Sequence, residues 1–202
     1  MLQLIQISPT VFFIVLIGLI LALTVHEAAH AYSAKLLGDD TPERYGRLTL
    51  NPIAHLDLLG FLALLFFRFG WGKPVPVNPN NFKHPAFGNL LVAVSGPLSN
   101  LILATIVGLI ARFLPADTVI FSVLESITYI NILLALFNLI PIPPLDGSKI
   151  IGLFVRQETY IEMERLGPFI LIAFIFFAST AALPFFEWFS TIISAITGWI
   201  IG

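Results

Sequence analysis

The chain has 202 residues, of which 57% are hydrophobic and only 11% charged, and its mean hydropathy is +0.94. Such a composition excludes a water-soluble globular domain and describes an integral membrane protein. A net charge of -2 offers no basic face for nucleic acid. The absence of cysteine removes disulfides and thiolate metal sites, so any metal must be held by His, Asp or Glu.

The first uncharged run, Met1 to Val25, is long enough to span a bilayer. It has neither a positively charged n-region nor a small-residue cleavage site and reads as a retained span. It runs into "HEAAH", residues 26 to 30. Ionisable groups near the bilayer centre cost about 3 kcal/mol each, which makes them functional candidates by default. On a helix, His26 and His30 lie roughly 40° apart on one face and one turn apart along the axis. That is the geometry for two imidazoles on one zinc ion, with Glu27 beside them, placed to reach a water at the metal rather than the metal itself. Random placement of the chain's His and Glu residues yields only about 0.003 such motifs per chain, so coincidence is a poor account.

Residues 38 to 85 are the polar exception. "RLTLNP" (47 to 52) and "PVPVNP" (74 to 79) each read as a short extended run closed by Asn-Pro, which predicts a membrane-edge β-hairpin or sheet. Pro74 and Pro76 suit an edge strand, and such an edge could accept an unwound substrate strand. Between them "LLGFLALLFF" (58 to 67) is too short to cross and predicts a re-entrant or interfacial segment. His55 and His84 are lone loop histidines, expected to be solvated or capping.

A second span is expected over 86 to 112 and a third over 118 to 140. The second carries "SGPLSN" (95 to 100), where Ser95, Gly96 and Ser99 form a small-residue face that favours a packing role for Asn100. The third ends in "NLIPIPPLDG" (138 to 147), whose prolines cannot continue a helix, leaving unpaired backbone that only protein or a watery cavity can surround. Asn138 has two open readings, a donor to a substrate carbonyl or oxyanion and an interhelical hydrogen bond. "RQETYIEMER" (156 to 165) reads as a solvated helix or loop. Residues 166 to 183 can cross outward, and 185 to 201 either return or lie along the outer interface with Glu187 among the headgroups.

All Lys and Arg residues except Arg112 fall in two regions, 35 to 83 and 149 to 165. The positive-inside rule makes both cytoplasmic. The N-terminus is then outside, and HEAAH and the end of the third span both face the cytoplasm. A catalytic zinc usually takes three protein ligands. Asp117, Glu125 and Glu187 fall on or near the outer side, which leaves Asp146 at the level of HEAAH, followed by Gly147, which permits close backbone approach. Capping of a helix that begins near Ser148 is the alternative role for Asp146.

HEAAH in a first core span, SGPLSN in the next and NLIPIPPLDG at the end of a third, in this order, resemble the site-2 protease family of intramembrane zinc metalloproteases, in its compact members without a PDZ insertion. The resemblance covers most of residues 10 to 155. It implies that His26, His30 and Asp146 bind one zinc ion and that Glu27 is the catalytic acid/base, with Asn138 in the matched motif as weaker support. The implied fold is an all-α polytopic membrane protein, a single peptidase domain over 1 to 202. It has core spans at about 10 to 37, 86 to 112 and 118 to 140, a hairpin or re-entrant region over 45 to 84, and C-terminal helices over 148 to 201. The expected partners are the lipid bilayer and transmembrane protein substrates, cut near the cytoplasmic face of the cell membrane. Two rivals are a catalytically silent relative that holds membrane proteins, against which the intact motif counts, and a metal transporter, for which ligands spread through the bilayer would be expected.

Overall fold

In a computed structural model of the chain, described over residues 8–67, 70–179 and 184–202, the architecture is helical. The start of the first apolar run at 1–7, Arg68 and the 180–183 end of the expected fourth span lie outside the described residues. Three helices are long and apolar enough to cross a membrane among the described residues: α1 (Pro9–Leu36), α3 (Pro85–Ala111) and α4 (Val119–Asn138). Each begins where the sequence offers an N-terminal signal. The Ser8 hydroxyl accepts from Val11 N and Pro9 occupies the first turn of α1; Pro85 opens α3; the Thr118 hydroxyl accepts from Phe121 N at the start of α4. These devices satisfy or remove amides that would otherwise be orphaned.

The three helices pack on one another pairwise. Apolar burial cannot drive helices together in lipid, so small residues that permit close backbone approach take over. The buried stripe of α1 accordingly contains Gly18, Ala22, Ala28, Ala31 and Ala34.

The polar segment between α1 and α3 is pinned by Asp39, which is fully buried. Its carboxylate accepts from Thr41 N at 3.0 Å, Thr41 Oγ1 at 2.5 Å, Asn78 N at 2.7 Å and Asn81 Nδ2 at 2.6 Å. Burial opposes its charge, but these donors outweigh it and hold its pKa below the usual carboxylate value. The end of α1 is thereby tied to the turn that precedes α3.

No β-strand occurs among the described residues, and the expected hairpin of 47–50 with 74–77 is not what pairs. The two Asn-Pro echoes are instead twin 3-10 turns, Pro52–Ala54 and Pro79–Asn81, each capped by the preceding asparagine: Ile53 N donates to Asn51 Oδ1 and Asn80 N to Asn78 Oδ1. The Asn side chain competes for the backbone that a strand would need, and Pro74 and Pro76 bring no amide hydrogen. Among the described residues extended pairing is confined to one antiparallel bridge, Leu56 with Gly72, beside the bond from Lys73 N to His55 O at 2.8 Å.

The bridge brings the residue two before α2 (Leu58–Phe67) beside Gly72, an arrangement that accords with the expected re-entrant or interfacial segment.

Beyond the proline-broken loop come α5 (Gln157–Ser179) and α6 (Phe185–Ile201). The first half of α5 is clasped to that loop, with Lys149 paired to Glu164 and its Nζ 5.4 Å from the Tyr160 ring centroid. Helix α6 lays Phe189, Ile193 and Ile200 against Ala104 of α3 and Ile132 of α4. Its last carbonyls are capped by Arg112, from Nε to Ile201 O at 3.1 Å and from Nη2 to Trp199 O at 3.2 Å. The end of α6 therefore sits at the end of α3 far from HEAAH, and at about 1.5 Å per residue its first turn points back toward the HEAAH level. Glu187 lies in that first turn, an arrangement that accords with the returning alternative for 185 to 201.

The chain's lack of cysteine makes the topology directly testable. Single variants Arg44→Cys and Lys83→Cys should react with a membrane-impermeant maleimide from one face of sealed vesicles, and Asp117→Cys from the opposite face. Labelling of Arg44→Cys and Lys83→Cys from different faces would mean that α2 crosses.

Candidate metal centre

His26 and His30 project from one face of α1 with ring centroids 4.6 Å apart and planes at 89°, and both are buried. Each ring is oriented through Nδ1. His30 Nδ1 lies 2.7 Å from Val92 O; a carbonyl only accepts, so this nitrogen carries the proton. His26 Nδ1 lies 2.6 Å from Asn100 Oδ1. The Asn100 amide nitrogen must face the carbonyl of Ala22, at 2.9 Å, and also reaches Asn131 Oδ1 at 2.8 Å, so its oxygen faces His26 and His26 Nδ1 is again the donor. Asn131, held in turn on Ile127 O at 2.9 Å, completes a polar chain through α1, α3 and α4.

In the neutral rings both Nε2 atoms are therefore bare lone pairs, and both face Asp146. Its Oδ2 lies 3.0 Å from His26 Nε2 and 3.3 Å from His30 Nε2. One ligand atom from each of the three residues falls within 4.8 Å of the others. Three acceptors converging in a buried site, without a proton among them, is an arrangement that a cation stabilises. Two imidazole nitrogens and a carboxylate oxygen suit zinc, and a tetrahedral shell with bonds of about 2.0–2.1 Å places its ligand atoms about 3.3 Å apart. The residues fit the ion.

The Asp146 loop is built to reach this point. Gly147 N donates to Asn138 O at 2.7 Å and Leu145 N to Ile142 O at 2.9 Å. A Cβ at Gly147 would lie 2.3 Å from Leu139 O, so close approach, and not an unusual φ, calls for glycine there. The N-cap of the short helix Ser148–Ile151 is Gly147, without a side-chain bond, and the Asp146 carboxylate is turned to the imidazoles instead of capping.

The other candidates separate clearly. Glu27 is half-buried on α1 beside the three converging groups and is not one of them. The Asn138 amide donates one turn back to Leu134 O at 3.0 Å, and its carbonyl closes the Asp146 loop. His55, expected to be solvated or capping, is fully buried and lies 2.8 Å from Thr49 O through Nε2.

Two contributions were not read from the sequence. Asn131 gave no local signal, since only the fold shows which polar side chain of a span meets which. Gly96 was assigned to general packing, but a Cβ there would lie 2.5 Å from His30 Nε2 and 2.8 Å from His26 Cε1. Gly96→Ala should therefore leave helicity intact and displace both rings, lowering zinc affinity by about ten- to a hundredfold, the range typical of disturbed outer-shell contacts. Competition titration against a chromophoric chelator, with circular dichroism as the control, measures both.

Residues 114–181, which include Asp146, match the model of Peptidase family M50. The chain is 42% identical over 171 residues to "Putative zinc metalloprotease YwhC" of Bacillus subtilis, covering 79% of this chain and 77% of that one. It is 33% identical over 155 residues to "Putative zinc metalloprotease Rip2" of Mycolicibacterium smegmatis, covering 74% and 60%, and 25% identical over 162 residues to "Zinc metalloprotease MJ0392" of Methanocaldococcus jannaschii, covering 79% and 40%. No solved structure matches it closely. With a zinc-compatible donor set and three membrane-capable helices, the chain belongs to Peptidase family M50, the site-2 protease family of membrane zinc metalloproteases.

Proposed function

We propose that this zinc metalloprotease acts as one membrane-embedded peptidase domain over residues 1 to 202 and hydrolyses peptide bonds in or near transmembrane segments of other proteins. The basic regions, 35 to 83 and 149 to 165, favour a cytoplasmic level for the site in the cell membrane. One observation carries the reading: the Nε2 atoms of two buried imidazoles and the Asp146 carboxylate converge, with both Nδ1 protons directed elsewhere.

In this reading His26, His30 and Asp146 hold the zinc, which supplies Lewis acidity toward water and toward the scissile carbonyl. Glu27 is the base. Its carboxylate takes a proton from the attacking water as the new C–O bond forms, and returns a proton to the amine as the C–N bond breaks, so it ends as it began. Asn100 and Val92 O hold the rings in the tautomer that leaves Nε2 available. Asn138 supports the site by closing the Asp146 loop. A substrate helix hides its carbonyls in its own hydrogen bonds and must unwind locally before one reaches the site.

The test uses the purified full chain and a synthetic transmembrane peptide carrying a fluorophore and quencher. Glu27→Gln should keep one equivalent of zinc and lose cleavage by about 10²- to 10⁴-fold, the usual contribution of a general base. His26→Ala and Asp146→Ala should lose both metal and cleavage, and a chelator should silence the wild type until zinc is restored. Cleavage by Glu27→Gln at the wild-type rate, or a full zinc complement in Asp146→Ala, would refute the assignment.

A further inference from the structure

The first half of α5, which begins in the charged run RQETYIEMER, touches the Asp146 loop on both sides of its carboxylate. Before Asp146, a Cβ added at Gly167 would lie 2.8 Å from Pro143 Cβ and 2.9 Å from Pro143 C, so the helix backbone rests on this fully buried proline. After Asp146, the Tyr160 ring meets the short helix Ser148–Ile151 and the Gly152 that ends it. Its Oη lies 3.5 Å from Ser148 Oγ, the Lys149 ammonium stands 5.4 Å from its centroid, and a Cβ at Gly152 would lie 3.2 Å from its Cε2. Glu164, four residues on and so on the same helix face, takes the Lys149 ammonium in an ion pair.

These contacts are passed to Asp146 through the backbone. Lys149 N donates to Asp146 O at 3.0 Å, and Ser148 N to Leu145 O at 3.0 Å. Lys149 and Asp146 therefore close one turn, and a shift of the short helix carries the Asp146 backbone with it. The carboxylate at the end of that turn lies 3.0 Å from His26 Nε2 and 3.3 Å from His30 Nε2. A binding constellation has to be held within about 0.5 Å of its working geometry, so whatever fixes the short helix decides how well Asp146 shares an ion with the imidazoles. The ion pair itself is partly exposed and such pairs add little to global stability. Breaking it should leave the bundle folded, and its effect should appear at the metal.

We propose that Glu164 is a positioning residue for metal binding, acting through Lys149 to hold the Asp146 carboxylate against His26 and His30. This rests on the reading of Asp146 as a zinc ligand.

The experiment uses the full chain in detergent micelles, with zinc affinity measured by competition against a chromophoric chelator, visible absorption of the cobalt-loaded protein, and circular dichroism as the control for folding. Lys149→Glu and Glu164→Lys should each weaken zinc binding about tenfold, the lower end of the range for disturbed outer-shell contacts, and shift the cobalt bands. The double reversal restores the pair with its signs exchanged. It should bind zinc about threefold more tightly than either single variant and return the bands toward those of the wild type, the remaining loss being the place of the ammonium over the Tyr160 ring. Wild-type affinity and unshifted bands in both single variants, or a double reversal that binds no more tightly than either of them, overturns the proposal. Should a reversal fail to fold, Glu164→Gln takes its place: weaker binding with shifted bands supports the proposal, and unchanged binding and bands overturn it. Failure of the ligand reading shows separately, since Asp146→Ala would then keep its zinc.

Discussion

Everything in this fold that concerns chemistry depends on where two protons sit. If either imidazole carried its hydrogen on Nε2, the site would hold a hydrogen bond to Asp146 and no lone pair for a cation. Val92 O and Asn100 Oδ1 draw both hydrogens to Nδ1, and the burial of both rings leaves no water to compete for them. The Val92 carbonyl takes the His30 bond and also accepts from Ser95 Oγ, while Ser99 Oγ donates to Gly96 O. SGPLSN is thus a built surface. Its glycine admits the rings, its serines bond the carbonyls beside them, and its asparagine fixes the tautomer.

Much of the converging group, His26, His30 and Asp146, was legible before any coordinates. The i, i+4 spacing of His26 and His30 needs only helical geometry, and Asp146 followed from charge topology and the requirement for a third ligand. The outer group was not legible, because hydropathy records that a residue sits in a span and not the direction it faces. Asn100 was weighed for packing and Asn131 not at all. Their pairing at 2.8 Å arises from the mutual rotation of α3 and α4, which no local pattern encodes.

The polar segment shows a different limit. The echo of RLTLNP and PVPVNP is real, but its repeated element is Asn-Pro and the cap it makes, not the extended run before it. Reading alternation as strand overlooked that an asparagine amide carbonyl two residues before a free N–H forms a turn on its own. The same reading hid the burial of His55, taken as a lone loop histidine that is solvated or capping. A loop wedged between the end of one span and the start of the next is enclosed on most sides, and its polar groups must be satisfied as strictly as those of a core.

The convergence of three acceptors also ties the metal to the stability of the bundle. Helix α1 and the Asp146 loop meet at the site through two imidazoles and a carboxylate, so a cation shared by the three would tie the first span to the loop that follows the third. Binding free energy at such a site is folding free energy, and it enters as a logarithm of metal concentration over Kd. The loop is tied toward α5 by Lys149 and Glu164 and toward α4 by the bond from Gly147 N to Asn138 O. Asp146 is therefore presented to His26 and His30 by bonds on both sides of it, and the proline-broken backbone that looks like a weak point in the membrane is the arm that brings its carboxylate to the imidazoles.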